Sequence, residues 1–342
     1  MPEKLPIEEF LPLTDEWPLV DVRSPAEYAQ GHIPDAVNIP LFDNEERAAV
    51  GIRYKQGGNE NAVMLGLEIV GPKLASMAKQ AKRTARNKKL LVHCWRGGMR
   101  SASMAWLFET TGLEVTILEG GYKAYRQYIR EQFSKPVKMV VLGGLTGSGK
   151  TDVLKQLEKQ GEQFLDIEGI AHHKGSAFGH IGQEEQPSNE QFENNLADAW
   201  RKFDTGRVIW TEDESRVLGR CSIPDPLFRQ VQSGHLIKIL VPKQERIKRL
   251  VREYGNFDKE LLLHSIKKIE RRMGGLAVKQ AAEALEKGDL SEVADLTLFY
   301  YDKTYSHMNK DRKPKSLTEI PVEKDDPEQT ARMLKDYVTR HF

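Results

Sequence analysis

Along the chain, short apolar runs alternate with segments of helical period, which predicts α/β layering. The runs at 18–24 (PLVDVRS), 88–94 (KKLLVHC) and 114–121 (EVTILEGG) read as buried strands. Helix-like stretches separate them, among them SASMAWLFETTG, where Gly112 supplies the stop signal. A helical YKAYRQYIREQF ends near Ser134-Lys135-Pro136, and a fresh strand, VKMVVLGG (137–144), follows at once. The strand–helix cycle restarts there, which places a boundary at 133–137 and predicts domains at 8–133 and 137–342, the second with a helical C-terminal part. Further strands are predicted at 163–169, 207–213, 235–242 and 295–302. Over 257–273, Phe257, Leu261, Leu262, Ile266, Ile269 and Met273 recur at helical spacing and are assigned to the core. The opposite side, with Lys259, Lys267, Lys268, Arg271 and Arg272, is assigned to solvent.

A length of 342 residues suits two ordinary domains. Hydrophobic content of 39% with 30% charged residues excludes a disordered chain. Lys+Arg 51 against Asp+Glu 50 leaves +1, so a polyanionic partner has to be met by local basic patches. Two cysteines, Cys94 and Cys221, exclude a disulfide framework and point to a reducing cytosol. The start, MPEKLPIEEF, has no apolar signal core, and no run reaches the roughly 18 apolar residues of a membrane span. These features predict a cytoplasmic protein without membrane contact. No apolar interface stripe stands out, which predicts a monomer.

The chemistry concentrates in two loops. In VHCWRGGMRS (92–101) a strand delivers Cys94 to a turn containing Gly97 and Gly98, with Arg96 and Arg100 beside it. Paired glycines let backbone N–H groups converge, and the helix that begins near Arg100 adds positive potential. Such surroundings lower a thiol's pKa and also suit a tetrahedral anion. Cys94 is therefore the candidate nucleophile, with Arg96, Arg100, Gly97 and Gly98 forming its anion nest. Cys221 has no partner motif and reads as structural.

The second loop, GGLTGSGKT, matches G-x-x-x-x-G-K-[ST] from Gly144 to Thr151, after a strand and before a helical pattern. Gly144, Gly147, Ser148, Gly149, Lys150 and Thr151 are the predicted binders of a diphosphate or triphosphate group, and Thr151 is a candidate Mg²⁺ ligand. Strand-end acids, Asp166 with Glu168 and Glu212 with Asp213, are candidate metal-side partners, Asp166 being the one assigned to Mg²⁺. The spacing of His172, His173 and His180 fits no zinc pattern and points to phosphate or substrate contact. Basic stretches at 79–89, 243–253 and 309–315 are candidate nucleic-acid contacts, and Trp95 is placed to stack a base.

LVDVRSPAEYAQGHIPDAVNIPL (19–41) followed by LVHCWRGGMRS resembles the rhodanese domain over about residues 8 to 130. The resemblance implies a catalytic Cys94, with Asp21 and Arg23 structural or near the site. Arg100 stands six residues after Cys94, one more than in common sulfurtransferase rhodaneses. That spacing is shared with rhodanese-like phosphatases and implies a wider nest. Together with the P-loop, and with YKQGG (54–58), LDIEGIAHHKGSAFGH (165–180), ESRVLGR (214–220) and IERRMGG (269–275), the chain resembles the bacterial tRNA 2-selenouridine synthases over nearly its full length.

The resemblance implies a two-step exchange on the wobble uridine of certain tRNAs. A 2-thiouridine is alkylated on sulfur by geranyl diphosphate, and selenium from selenophosphate then replaces the S-geranyl group. Cys94 is expected to take up selenium as a Cys–Se–H adduct with release of phosphate. Arg53, Lys55, Ser176, Arg216 and Arg220, which lie in or beside those segments, are with Trp95 the expected tRNA or substrate contacts. GSAFGH (175–180) is expected to close over the prenyl chain or the phosphate. A selenophosphate-supplying enzyme is a candidate partner. Other readings stay open: a rhodanese-like phosphatase or sulfurtransferase fused to a nucleotide-binding module, a non-enzymatic scaffold with a nucleotide switch, or an ATP-dependent kinase.

Overall fold

The apolar runs of the first unit become β1 (Glu3–Leu5), β2 (Leu19–Asp21), β3 (Val37–Asn38), β4 (Lys89–His93) and β5 (Glu114–Leu118) in a computed structural model that describes residues 2–308 and 314–342, without the side chains of 304–308. The strands form one sheet in the order β1-β5-β4-β2-β3, with every pairing parallel. Parallel strands are covered on both faces, which is why β4 and β5 read as unbroken apolar runs. The chain divides into Met1–Gln132 and Phe133–Phe342.

Val20, Leu90, Val92, Phe108 and Ile117 lie at the centre of the first core. The β2–β4 register sets Asp21 opposite His93, so the acid of the DVR motif lies next to the strand that delivers Cys94. Arg23 grips Asp21 through Nε at 2.9 and 3.0 Å and Nη2 at 2.6 Å, and donates also to the Gly31 carbonyl at 2.7 Å. Its guanidinium lies 3.8 Å from the Tyr122 ring centroid. Both ions are buried, at 1% and 0% exposure. Removing one partner of such a pair strands the other charge in the core. Arg23→Ala is expected to cost about 3–5 kcal/mol of unfolding free energy in a urea titration of the full chain followed by circular dichroism.

The second unit contributes β6 (Lys138–Gly143), β7 (Gln163–Leu165), β8 (Val208–Glu212), the short antiparallel pair β9 (Val217–Leu218) and β10 (Cys221–Ser222), β11 (His235–Leu240) and β12 (Ser316–Pro321). The large sheet runs β12-β11-β6-β8-β7, all parallel. Helices Lys150–Lys159 and Pro327–His341 supply Leu154, Leu157, Leu334 and Val338 to its core. A separate helical cluster joins Ile181, Leu262, Ile266, Val278, Leu285 and Val293.

Two assignments from periodicity are corrected. Residues 295–302 are not a strand; they belong to the helix Leu290–Met308. Leu290, Val293, Ala294, Thr297, Leu298 and Tyr301 all face inward or line a cavity there, and their 3–4 spacing is helical, while Phe299 is 72% exposed. Within 257–273, Leu262, Ile266 and Ile269 are core, but Leu261 faces solvent at 48%. The basic side chains Lys259, Lys267, Lys268, Arg271 and Arg272 do not enter the buried set.

Candidate functional site

Each unit carries one site, in both cases at the C-terminal end of a central strand of a parallel sheet, where α/β folds bind ligands.

In the first unit β4 ends at His93, and Cys94 starts the loop that runs to the helix Met99–Thr110. Gly97 has φ 63°, and a Cβ there would lie 2.7 Å from the Leu118 carbonyl oxygen, so only glycine lets the loop pass the end of β5. The loop is held from below by Tyr122 N–H on the Cys94 carbonyl (2.8 Å) and Lys123 N–H on the Trp95 carbonyl (3.0 Å). The Cys94 side chain is 3% exposed and borders the core. Its Sγ is 3.3 Å from Ser101 Oγ. Burial alone pushes this thiol up. The Ser101 hydroxyl, the N–H groups of Arg96 and Ser101 and the Arg100 charge outweigh burial, and the thiol falls below its ordinary value. Cys221 lacks such donors, and burial raises it.

His93 is fully buried, with Nδ1 3.3 Å from the Cys94 carbonyl and Nε2 3.7 Å from Asp21. Burial lowers its pKa, so the ring is neutral and braces the loop rather than charging it. The two nest arginines differ. Arg100 is committed to Glu27 at 2.9 Å, and Glu27 also accepts from Ser24 N–H, so Arg100 acts on the sulfur from a fixed post. Arg96 is solvent-exposed. Trp95 is half-buried with its ring tilted against Tyr122, 5.7 Å between centroids.

A thiolate is the reactive form of a cysteine, and the Ser101 hydroxyl, 3.3 Å from Sγ, is placed to donate to it. In Ser101→Ala the sulfur loses this donor and its pKa rises. The pH–rate profile of Cys94 alkylation by iodoacetamide is expected to move to higher pH, with the rate at neutral pH falling about tenfold. A profile that does not move would remove Ser101 from the set that ionises the thiol.

In the second unit the P-loop leaves β6 and enters the helix Lys150–Lys159, with Gly147 and Gly149 at φ 78° and 75°. Their missing side chains admit neighbours: a Cβ on Gly149 would stand 2.6 Å from Arg249 Nη2, and one on Gly147 would stand 3.2 Å from the Arg246 carbonyl. Those two arginines underpin the loop. Arg246 donates to Asp302 at 2.9 and 2.8 Å and to the Thr146 carbonyl at 3.1 Å. Arg249 bridges Asp152, Asp325 and Glu253. The basic stretch 243–253 is thereby corrected: Arg246 and Arg249 are buried supports of the loop, and Lys243, Lys248 and Arg252 are paired with Asp295, Glu245 and Asp325.

The P-loop lines a cleft of about 810 Å³ that gathers Gly144, Gly147, Ser148, Gly149, Lys150 and Thr151 with Asp166, Ser176 and Arg216. Lys150 Nζ reaches back to the Gly144 carbonyl at 3.4 Å. The Ser148 hydroxyl is buried with no partner among the described residues.

Strand register brings acids beside this loop, because Leu142 pairs with Glu212 on β8, and Leu165 of β7 pairs with Thr211. Carboxylate oxygens of Glu168, Glu212 and Glu214 lie within 4.8 Å of one another. Burial raises all three above the ordinary carboxylate range. Repulsion from Glu212 adds to the rise of Glu168 and Glu214, and the nearby Lys150 charge opposes it in all three. Thr151 hydrogen-bonds Glu212, and the Oε1 of Glu212 has no partner among the described residues. Asp166, the residue assigned to Mg²⁺, lines the same cleft. Asp166 accepts from Gly169 N–H at 2.8 Å and caps the helix Ile167–Ala171, while the carboxylates that converge are one from each predicted strand end plus Glu214.

A small apolar recess adjoins the cleft, and Thr146, Ser176, Leu250, Tyr254 and Tyr301 line both. Of GSAFGH, Ser176 and Ala177 line the cleft and Phe178 the recess. His172, His173 and His180, expected at a phosphate or substrate contact, line neither the cleft nor the recess. Arg220 also lies outside the cleft, bonded to Glu185 and the Pro187 carbonyl, while Arg216 in the cleft is paired with Asp225. Arg53 and Lys55 are exposed on the long helix Asn44–Val70, beside the kink at Gly58. Of the basic stretch 79–89, Lys79, Lys82, Arg83, Arg86 and Lys88 are exposed. In 309–315, Asn309–Lys313 lie outside the described residues.

These two sites define a class: a rhodanese-like unit with a loop cysteine, followed by a P-loop unit. Comparison with known proteins agrees. Residues 8–128 match the rhodanese-like domain, and residues 137–340 match the tRNA 2-selenouridine synthase AAA domain. Proteins named tRNA 2-selenouridine synthase are similar over most of their length. The one from Bordetella petrii is 35% identical over 85% of this chain and 86% of its own. The one from Sulfurovum sp. is 36% identical over 85% and 88%, and that from Shewanella pealeana 34% over 89% and 92%. The chain belongs to the tRNA 2-selenouridine synthase family. Among the described residues no helix is long and apolar enough to cross a membrane.

Proposed function

We propose that this chain acts as a tRNA 2-selenouridine synthase that works in two steps. It alkylates 2-thiouridine at the tRNA wobble position with geranyl diphosphate, then exchanges the S-geranyl group for selenium from selenophosphate. The observation that carries this reading is the phosphate cleft opening onto an apolar recess. An allylic diphosphate uses both, its charged head in the cleft and its hydrocarbon in the recess.

In the first step the thiocarbonyl sulfur attacks C1 of the donor, the C–O bond breaks, and diphosphate leaves with its electron pair; the base loses its N3 proton. Backbone amides of Gly147 and Gly149, with Lys150, stabilise the charge that develops on the leaving group. Glu168, Glu212 and Glu214 suit a hard divalent cation, since they offer oxygen donors only and one of those oxygens is unpartnered. These three with Thr151 would hold Mg²⁺, which supplies further charge neutralisation for the diphosphate.

In the second step electron balance decides what Cys94 attacks. Selenium in selenophosphate is already fully reduced, so a Cys–Se–H adduct would need an oxidant. A balanced route has selenium attack C2 of the S-geranyl base and expel geranylthiolate, which takes a proton. The Cys94 thiolate then attacks phosphorus and breaks the P–Se bond, leaving the selenocarbonyl on the base. Water cleaves the phosphocysteine to phosphate and restores the thiol. The longer loop to Arg100 suits a phosphoryl group in this nest. tRNA contact is assigned to Trp95, Arg53, Lys55 and the exposed cations of 79–89, whose strength falls with salt.

The test is mass spectrometry of wobble nucleosides after incubating the full chain with thiolated tRNA, geranyl diphosphate and selenophosphate, each omitted in turn. 2-Selenouridine formed without geranyl diphosphate, or ATP consumption that requires tRNA but no allylic donor, would falsify the two-step reading.

A further inference from the structure

We propose that the exposed cations Lys267, Lys268, Arg271 and Arg272, at the rim of the phosphate cleft, bind the RNA backbone and hold the tRNA over that cleft. This rests on reading the cleft as the place where the wobble sulfur meets its donor, and goes beyond it by naming a surface that grips the nucleic acid there. Trp95, Arg53, Lys55 and the cations of 79–89 all belong to the first unit, whereas in the two-step scheme alkylation takes place on the second.

The helices Lys259–Lys268 and Glu270–Met273 bury one side and present the other. Leu262, Ser265, Ile266 and Ile269 recur at 3–4 spacing and are buried. The four cations fall between these positions and are exposed. From 261 to 276 the sequence has one acid, Glu270, against those four, so the exposed side carries a surplus of positive charge.

A charged helix face is ordinarily just solvated. Pairing sets this one apart. On the preceding helix, Lys243–Tyr254, the cations Lys243, Arg246, Lys248, Arg249 and Arg252 all meet carboxylates. Lys267, Lys268, Arg271 and Arg272 have no ion-pair partner among the described residues. In a chain whose charges balance to +1, four bare cations side by side concentrate positive potential at one place.

That place adjoins the chemistry. Ile269 and Arg272 line the cleft with Gly147 and Lys150, so the row ends at the opening through which a base has to enter. A base is tied through its ribose to its own phosphates, and presenting it to the cleft brings the backbone to the rim. Ile181 shares a core with Leu262 and Ile266, which holds the segment around His180 against the same helix. His180 is lowered by burial and then by the Lys268 charge, and His173 by burial, His180 and Lys268. Neutral imidazoles beside the row cost it none of its charge. Lysine and arginine on phosphate read no sequence, so the row supplies affinity and register.

The test compares two triple variants of the full chain that lose the same charge. One is Lys267→Ala/Lys268→Ala/Arg271→Ala on the row; the other is Lys243→Ala/Lys248→Ala/Arg252→Ala on the paired helix. None of the six lines the cleft, so binding of inorganic diphosphate, followed by calorimetry, is expected to stay within about twofold of wild type in both and reports an intact P-loop. Binding of thiolated tRNA is followed by fluorescence anisotropy over a range of salt. The row variant is expected to raise Kd by about tenfold or more and to flatten the dependence of log Kd on log salt by about two to three in slope. The paired-helix variant is expected to stay within about twofold. With geranyl diphosphate as donor, the row variant is expected to raise KM for tRNA while kcat is kept. Arg271→Ala alone is expected to lower the slope by about 0.7 to 0.9 and carries the test if the triple variant does not fold. Equal weakening by both triple variants shows bulk charge rather than a site and overturns the proposal, as does an unchanged Kd and slope in the row variant. Wild-type protein that binds tRNA through the row yet transfers no geranyl group overturns the donor reading and leaves the RNA surface standing.

Discussion

A Cys94→Ser variant is expected to leave thiolated tRNA without 2-selenouridine, the second step falling by roughly a thousandfold or more, while geranylation stays within about twofold of wild type. Ser101 Oγ at 3.3 Å and the N–H groups of Arg96 and Ser101 all favour the anion, against the burial that opposes it. A serine in the same place keeps the size and the hydrogen bonds but has no anion to offer at neutral pH, because an alkoxide is far less accessible than a thiolate. Phosphorus is then never captured and selenium is not released to the base. In the proposed two-step scheme the geranyl step depends on the P-loop of the other unit and is untouched. Nucleoside mass spectrometry separates the outcomes. Selenouridine formed at wild-type rate by the serine variant sinks the nucleophile. Loss of both steps in a variant with a wild-type melting curve shows instead that Cys94 supports the whole protein. Steady phosphate release from a simple aryl phosphate without tRNA would favour the phosphatase reading.

What could be read from the sequence was whatever a few adjacent residues fix by themselves. The Cys94 loop and the P-loop are contiguous, and their glycines do local backbone work, so position along the chain is enough to find them. Strands β4, β5, β6, β8 and β11 were legible because both faces of a parallel sheet are covered and the runs are apolar throughout. β1 and β12 were missed: each is an edge strand with a short or alternating pattern, EKL and SLTEIP, and each is defined by its partner. The three-glutamate cluster needed the β6–β8 register, and Glu214 lay one residue beyond the pair that spacing singled out.

The basic stretch 243–253 failed for a related reason. Arg246 and Arg249 look like surface charge until Asp302 and Asp325, 56 and 76 residues further on, come to meet them. A row of cations on a helix does not reveal which of them are already paired. Local composition also misled at 295–302, where aromatic and branched residues suit a strand but tertiary packing selected the helix that walls the recess.

Lys150→Ala is expected to suppress geranyl transfer by about a hundred- to a thousandfold while selenation of tRNA supplied already S-geranylated continues. Lys150 is the cation of the cleft closest in effect to the glutamate cluster, opposing the rise of Glu168, Glu212 and Glu214. A diphosphate entering beside three carboxylates meets repulsion unless a positive charge intervenes, and the backbone amides of Gly147 and Gly149 carry only partial charge. The neighbouring arginines do not substitute, because Arg246 and Arg249 are bound to Asp302, Asp325 and Asp152 beneath the loop. The loss therefore falls on the leaving group, where charge grows as the C–O bond breaks, and shows more in kcat than in KM. Equal loss of both steps would mean that one site serves both, and the division of labour between the P-loop and Cys94 would be wrong. An unchanged rate with geranyl diphosphate would place the donor outside this cleft, and the recess would lose its ligand as well.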